Sequence, residues 1–176
     1  VWWIGAGPAE AAALAEVRRH LAAVYGPPVR LRHPAARPQE AYDARRGQHS
    51  STRILAWLAG QHREGPGKVL GLTDVDLFIP VLTFVFGEAQ LGGRVAVVST
   101  ARLSGPGGAE AERLLPRLKK EAAHELGHTF GLLHCGQDSC VMSRSASLAD
   151  VDAKGSLLCK DCHRHLVAGV QAGGVS

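Results

Sequence analysis

"HELGHTFGLLHCGQDSCVM", residues 124–142, gathers three histidines, two cysteines and a glutamate into nineteen positions. His124 and His128 are four apart. On an α-helix, four residues advance a side chain only about 40° beyond a full turn and about 6 Å along the axis. Both imidazoles therefore lean from one face, where they can bind a single ion at zinc–nitrogen distances of about 2.0–2.1 Å. Glu125, one step on, is badly placed to ligate that ion. It is well placed to reach a water bound there, the position of a general base. A continuing helix would carry a third ligand away. Gly131 removes the obstacle, because glycine accepts the left-handed backbone that ends a helix and lets residues 132–134 swing back. His134 then arrives as a third nitrogen. Three neutral histidines leave the fourth position of a tetrahedral zinc open, which is the layout of a hydrolytic site.

Cys135 follows His134 directly, and a thiolate in that fourth position would displace the water. Neighbouring residues in extended chain point in roughly opposite directions, so Cys135 is expected to face away from the first ion. The remaining cysteines are Cys140, Cys159 and Cys162. Two disulfides among the four would allow three pairings, but the Cys-x-x-x-x-Cys and Cys-x-x-Cys separations suit a closed four-sulfur zinc site. The spacing thus predicts two zinc ions per chain. His124, His128 and His134 hold a catalytic one, and Cys135, Cys140, Cys159 and Cys162 hold a structural one. His163 and His165, beside the second cysteine pair, are expected at the surface, as are His20, His33, His49 and His62. Asp74, Asp76 and Glu88 are expected in caps and turns.

These motifs sit in a chain of 176 residues, 45% apolar and 20% charged, the composition of an ordinary globular protein. A single catalytic domain over 1–176 is expected, with an N-terminal part to about 131 and a small C-terminal part over about 132–176. No apolar run approaches the ~20 residues needed to cross a bilayer. The opening "VWWIGAGPAE" lacks a basic n-region and a long apolar stretch, so no secretory leader is expected and a cytoplasmic location is predicted. The formal charge is +4, yet the arginines are scattered and not interleaved with aromatics. A nucleic-acid platform would need a concentrated basic stripe, so neither nucleic acid nor membrane is expected as a partner.

Periodicity places the motif on a scaffold. Residues 8–26 read as a helix, with Pro8 in its first turn, Leu14, Val17, Leu21 and Val24 at helical spacing, and Gly26 at its end. "VRLRH" (29–33) reads as a short strand. Residues 50–62 read as a second helix capped by Ser50 or Ser51, and residues 68–77 begin as a buried strand. "TFVFGEAQLGGRVAVVST" reads as two strands joined at a Gly-Gly turn. A third helix is expected from about Pro116 to about Phe130, and a short fourth near 164–170. Strands alternating with helices imply an α/β fold.

The run His124-Glu125-x-x-His128-x-x-Gly131-x-x-His134 resembles a metzincin metallopeptidase, and Met142, the only methionine, stands where that clan places its Met-turn. Cys135, Cys140, Cys159 and Cys162 narrow the resemblance to the archaemetzincins. "RGQHSSTRILAWL", "LGLTDVDLFIPVLTFVFGEAQ" and "RVAVVSTARL" are similar to the same family. Two departures stand out: residues 143–158 are one shorter than the family pattern, and residue 144 is Arg where some metzincins carry a ligating Tyr. The resemblance implies a twisted mixed sheet with flanking helices, an active-site helix beneath a cleft, and a small zinc-stabilised C-terminal part. It implies a zinc-dependent peptidase whose extended substrate pairs with an edge strand, supplied by "RVAVVST" or "TFVFGEA". The alternative is a catalytically silent module that binds peptides or proteins on the same zinc scaffold.

Overall fold

Two strands are buried at every position, and they order the architecture. The computed structural model describes residues 1–7, 10–26, 28–34, 38–62 and 67–173, with the side chains of 170–173 left aside. Within it, β4 (Val69–Thr73) and β7 (Val95–Ser99) are buried throughout and pair in parallel, from Val69 opposite Val95 to Thr73 opposite Ser99. A strand covered on one face alternates apolar with polar, whereas one covered on both reads as an apolar run. β1 (Trp2–Trp3) adds parallel to β4, and β6 (Gly87–Ala89) adds antiparallel to β7, giving the order β1-β4-β7-β6.

Each face takes its own helices. Leu70, Leu72, Ala96 and Val98 meet α1 (Ala11–Tyr25) and α3 (Leu114–Thr129), where Leu14, Val17, Leu21, Leu118, Ala122 and Leu126 close the larger core. Val69, Val95 and Val97 meet α2 (Ser51–Gln61) through Ile54, Leu55 and Leu58, with Trp2 and Ile4 alongside. The fold is therefore α/β, a twisted mixed sheet with helices on both sides. Ser50 is the cap of α2, its side chain accepting from the Arg53 amide at 3.4 Å.

One expectation needs correction. "VRLRH" is not a strand; it contributes one bridge, in which the Arg32 amide donates to Val1 O at 2.9 Å and Arg32 O accepts from the Trp3 amide at 3.0 Å. Its neighbour β1 is only two residues long, so there is no edge for a longer strand to follow. A second sheet also appears, in the order β2 (Tyr42–Asp43), β3 (Gln48–Ser50), β5 (Leu77–Phe78). It suspends the segment leading into β6: Gln48 donates to Thr83 O at 3.0 Å, Arg46 to Leu82 O at 2.9 Å, and the Val85 amide to Leu77 O at 3.0 Å.

Beyond α3 the chain forms α4 (Leu148–Ala153), opened by a capping box between Ser147 and Asp150, and α5 (Lys160–Gly173), which starts earlier than the periodicity predicts. Arg117, buried in α3, binds Asp152 through two nitrogens at 2.8 and 2.6 Å and Glu110 at 2.6 Å, tying α4 to α3. Pro8, expected in the first turn of α1, lies outside the described residues, as do the last three residues of the closing "AGGVS". Among the described residues no helix is long and apolar enough to cross a membrane.

Candidate metal centres

α3 carries Glu121, His124, Glu125 and His128 on its last turns, and its end is built to bring the chain back. Gly131 takes φ +85°, its amide donating to His128 O at 2.9 Å while the Leu132 amide reaches Gly127 O at 3.2 Å. That pair of reversed hydrogen bonds is the Schellman motif, which needs a left-handed residue where Gly131 stands. His134 thereby comes to the two helical histidines, with ring centroids 5.3 Å from His124 and 5.0 Å from His128.

The tautomers are set by carbonyls, which can only accept. His124 Nδ1 lies 2.9 Å from Val141 O and His128 Nδ1 lies 2.7 Å from Leu132 O, so both Nδ1 atoms carry the proton. Both Nε2 atoms then present lone pairs, and they face each other at 3.1 Å. Two such acceptors repel unless a cation lies between them. On a tetrahedral zinc with 2.0–2.1 Å bonds, two nitrogens are about 3.3 Å apart, close to the spacing here. Burial, and then the nearby Lys154 charge, lower the His124 pKa to about 2, which keeps this imidazole neutral and ready to ligate. The donor set fits zinc.

Glu125 is buried beside this trio, and burial pushes its carboxyl well above the usual range, with the Glu121 charge adding to the rise. It lines a cleft of about 380 Å³ whose borders are α3, His134, the segment Leu82–Ala89 and the segment Arg144–Ala146. Of the carboxylates expected in turns, Asp74 accepts from the Ala6 and Gly7 amides at 2.5 and 2.7 Å, and Asp76 pairs with Arg102 at 2.6 Å. Glu88 instead faces the cleft from β6, where the Thr52 hydroxyl donates to it at 3.1 Å.

His134 and Cys135 belong to different groups. Cys135, Cys140, Cys159 and Cys162 bring their sulfurs within 4.8 Å of one another, and none is in a disulfide. Cys135 Sγ and Cys159 Sγ are 3.8 Å apart. This is about the edge of a tetrahedron with 2.3 Å zinc–sulfur bonds. Backbone amides point at the sulfurs, Gln137 at Cys135 (3.4 Å), Cys159 at Cys140 (3.3 Å) and Cys162 at Cys159 (3.5 Å). The amide from Cys162 is the main reason the Cys159 thiol is lowered to about 7. His163 and His165 are exposed, as expected.

The model of Peptidase family M54 matches residues 27–168. The chain belongs to this family. An archaemetzincin of Methanopyrus kandleri is 47% identical over 137 residues, spanning 78% of this chain and 76% of that protein. One of Haloarcula marismortui is 38% identical over 163 residues, spanning 87% and 93%. The crystal structure of the Methanopyrus kandleri archaemetzincin superposes with a TM-score of 0.83 at 39% identity, covering 97% of this chain and 93% of that one. That of the Archaeoglobus fulgidus archaemetzincin, complexed with malonate, gives 0.77 at 35% identity, with 93% and 96% covered. Family M54 makes this chain a zinc metallopeptidase, acting on peptide substrates.

Three features of this M54 site escape a reading of the motif. A Cβ on Gly127 would stand 2.5 Å from Met142 Sδ and 2.8 Å from Tyr25 Oη, so the bare helix backbone is what admits the fully buried Met142. A Cβ on Gly87 would stand 2.6 Å from Glu125 Cγ. Lys154, buried in the C-terminal part, pairs with Glu121 at 2.7 Å and lies 3.3 Å from His124 Nδ1. The small-residue signal at Gly127 was available in the sequence; the other two depend on contacts across long stretches of chain.

Proposed function

We propose that His124, His128 and His134 hold a catalytic zinc, that Glu125 is the general base for peptide-bond hydrolysis, and that Cys135, Cys140, Cys159 and Cys162 hold a second, structural zinc. The observation that carries the first assignment is the pair of Nε2 lone pairs facing at 3.1 Å with both Nδ1 protons committed to carbonyls. Zinc supplies a bound water of pKa about 7 and polarises the scissile carbonyl.

The chain's own groups do the rest. Val141 O and Leu132 O fix the two helical imidazoles and make them better donors. Glu125 takes the proton of the attacking water and passes it to the departing amine. A carboxyl raised by burial suits both halves of that transfer, because a general base works best with its pKa near the working pH. Met142 sits against Gly127, between the two helical histidines in sequence, and supports the turn that precedes His134. The unpaired edge of β6, from "TFVFGEA", is the strand along which an extended peptide lies, while β7 is paired on both sides.

The four-sulfur group holds residues 132–176 as a small C-terminal part beside an N-terminal part ending at about 131, the two forming one catalytic domain over 1–176. Four reduced thiols converging on one centre also favour a reducing compartment, and hence the cytoplasm.

Zinc content and hydrolysis of a mixed peptide library, for the native chain and for Glu125→Gln, test this reading. The expected result is unchanged zinc with turnover reduced by at least about 10²-fold. Equal turnover in both would remove Glu125 from the mechanism. Peptide binding without turnover in either would favour a silent binding module.

A further inference from the structure

The cleft's charges are unequally committed. Glu121 is spent on buried Lys154 at 2.7 Å, and Glu88 accepts the Thr52 hydroxyl at 3.1 Å. Nearby arginines are engaged too: Arg46 lies over the Phe78 ring and bonds Leu82 O, and Arg102 forks onto Asp76. Arg144 differs from all of these. It is exposed, lines the cleft, and its charge acts on the His134 imidazole. Among the described residues it has no hydrogen bond and no ion pair.

Its backbone is nonetheless well anchored. Met142 before it is fully buried, the Ser143 amide donates to Cys140 O at 2.9 Å, and Ser147 after it caps α4. A guanidinium on a fixed support, beside the reaction centre and without a partner of its own, is suited to grip a planar anion by two parallel N–H bonds.

We propose that Arg144 determines specificity by binding a carboxylate of the peptide substrate, either an Asp or Glu side chain near the scissile bond or the free C-terminus. The assignment rests on the peptidase reading of the same cleft and adds to it a substrate class. Both sources present the same planar acceptor, and both would be disfavoured elsewhere in a cleft carrying Glu88, Glu121 and Glu125.

Two peptide pairs test it on the zinc-loaded full chain. One pair is amidated and differs by Glu or Gln at the residues flanking the cleaved bond. The other is neutral along its length and ends in a carboxylate or an amide. The quantity read is the acid-to-neutral ratio of kcat/KM, so a uniform loss of activity does not enter it. The native chain is expected to show a ratio of about ten in at least one pair, equivalent to ~1.4 kcal/mol. Arg144→Ala should bring it to about one, Arg144→Lys should keep part of it, and Arg144→Glu should turn the preference toward Lys-containing peptides. The pair that responds identifies the source of the carboxylate.

The same ratios are read as Kd by fluorescence anisotropy on the Glu125→Gln protein. A chain that turns over no peptide therefore counts against the peptidase reading, while the binding ratio still decides the role of Arg144. A native ratio of one or below in both pairs, or a ratio that survives Arg144→Ala with zinc content intact, overturns the proposal.

Discussion

Gly87 shows how a missing methyl group can place a carboxylate. Its Cα faces Glu125, and a Cβ would lie 2.6 Å from both Glu125 Cγ and Val97 O, so neither partner has room for it. Val97 O belongs to β7, which is packed on both faces, so the carboxylate is the group that must move. Gly87→Ala is therefore expected to leave both metal groups loaded and to lower kcat by about 10²-fold, the scale of loss for a displacement of about 1 Å in a reacting group. Paired measurements of zinc content and kcat check this, and an unchanged kcat would show that Glu125 has another way to sit. At this scale the two candidate ligand groups were legible in the sequence, because histidine and cysteine spacings are local. Gly87 was not: its constraint comes from a residue on another element, and nothing in "VFGEA" announces it. His20, expected at the surface, is half-buried, and among the described residues its Nε2 has no hydrogen-bond partner, for the same reason.

Among the elements, α3 is held by more than its apolar face. Arg117 is 1% exposed, and its ion pairs with Asp152 and Glu110 connect the active-site helix to α4 on one side and to the loop before it on the other. The Arg117 guanidinium, with Arg113 assisting, lowers the Asp152 pKa from 3.8 to about 2. A carboxyl depressed by folding adds stability above its unfolded pKa and loses it as the pH falls toward its folded one. Asp152→Asn is thus expected to cost about 1.5–3 kcal/mol near neutrality, the range for hydrogen bonds to charged groups. The gap to the native chain should narrow below about pH 4, and urea melts from pH 7 down to the lowest pH at which both chains fold measure it. A gap independent of pH would remove Asp152 as its cause. The helices α1, α2 and α3 were legible because each repeats its pattern several times, β4 and β7 because each is a continuous apolar-rich run, and the three-residue β6 only through the Gly-Gly turn that follows it. β1, β2, β3 and β5 have two or three residues each and no period to detect, and α4 buries only Val151.

At the scale of the molecule, two candidate ligand groups meet at one peptide bond, His134–Cys135. The Cys135 amide is itself tied to Met142 O at 2.9 Å, so the sulfur group and the methionine turn support the same short loop. Removing the sulfur-bound metal is expected to reach further than its own four ligands. Cys162→Ser should lower zinc from about two ions per chain to about one and open residues 143–173 to limited proteolysis, while the helices α1, α2 and α3 and the strands between them stay protected. Atomic absorption and mass mapping of the fragments read both effects. Retention of two ions, or loss of the histidine-bound ion alone, would contradict the partition. The division of His134 and Cys135 between two candidate groups was legible in the sequence; the Lys154–Glu121 pair that fastens the C-terminal part behind His124 was not, since a buried lysine has no local signature.

All seven candidate ligands lie at or beyond residue 124, and Cys162 sits on the last helix. A chain still emerging from the ribosome has its sheet and first helices available to fold before either donor set is complete. Hydrolytic capacity would then switch on only after the sheet that carries the cleft has been made, which spares that scaffold from a protease with an unfinished cleft.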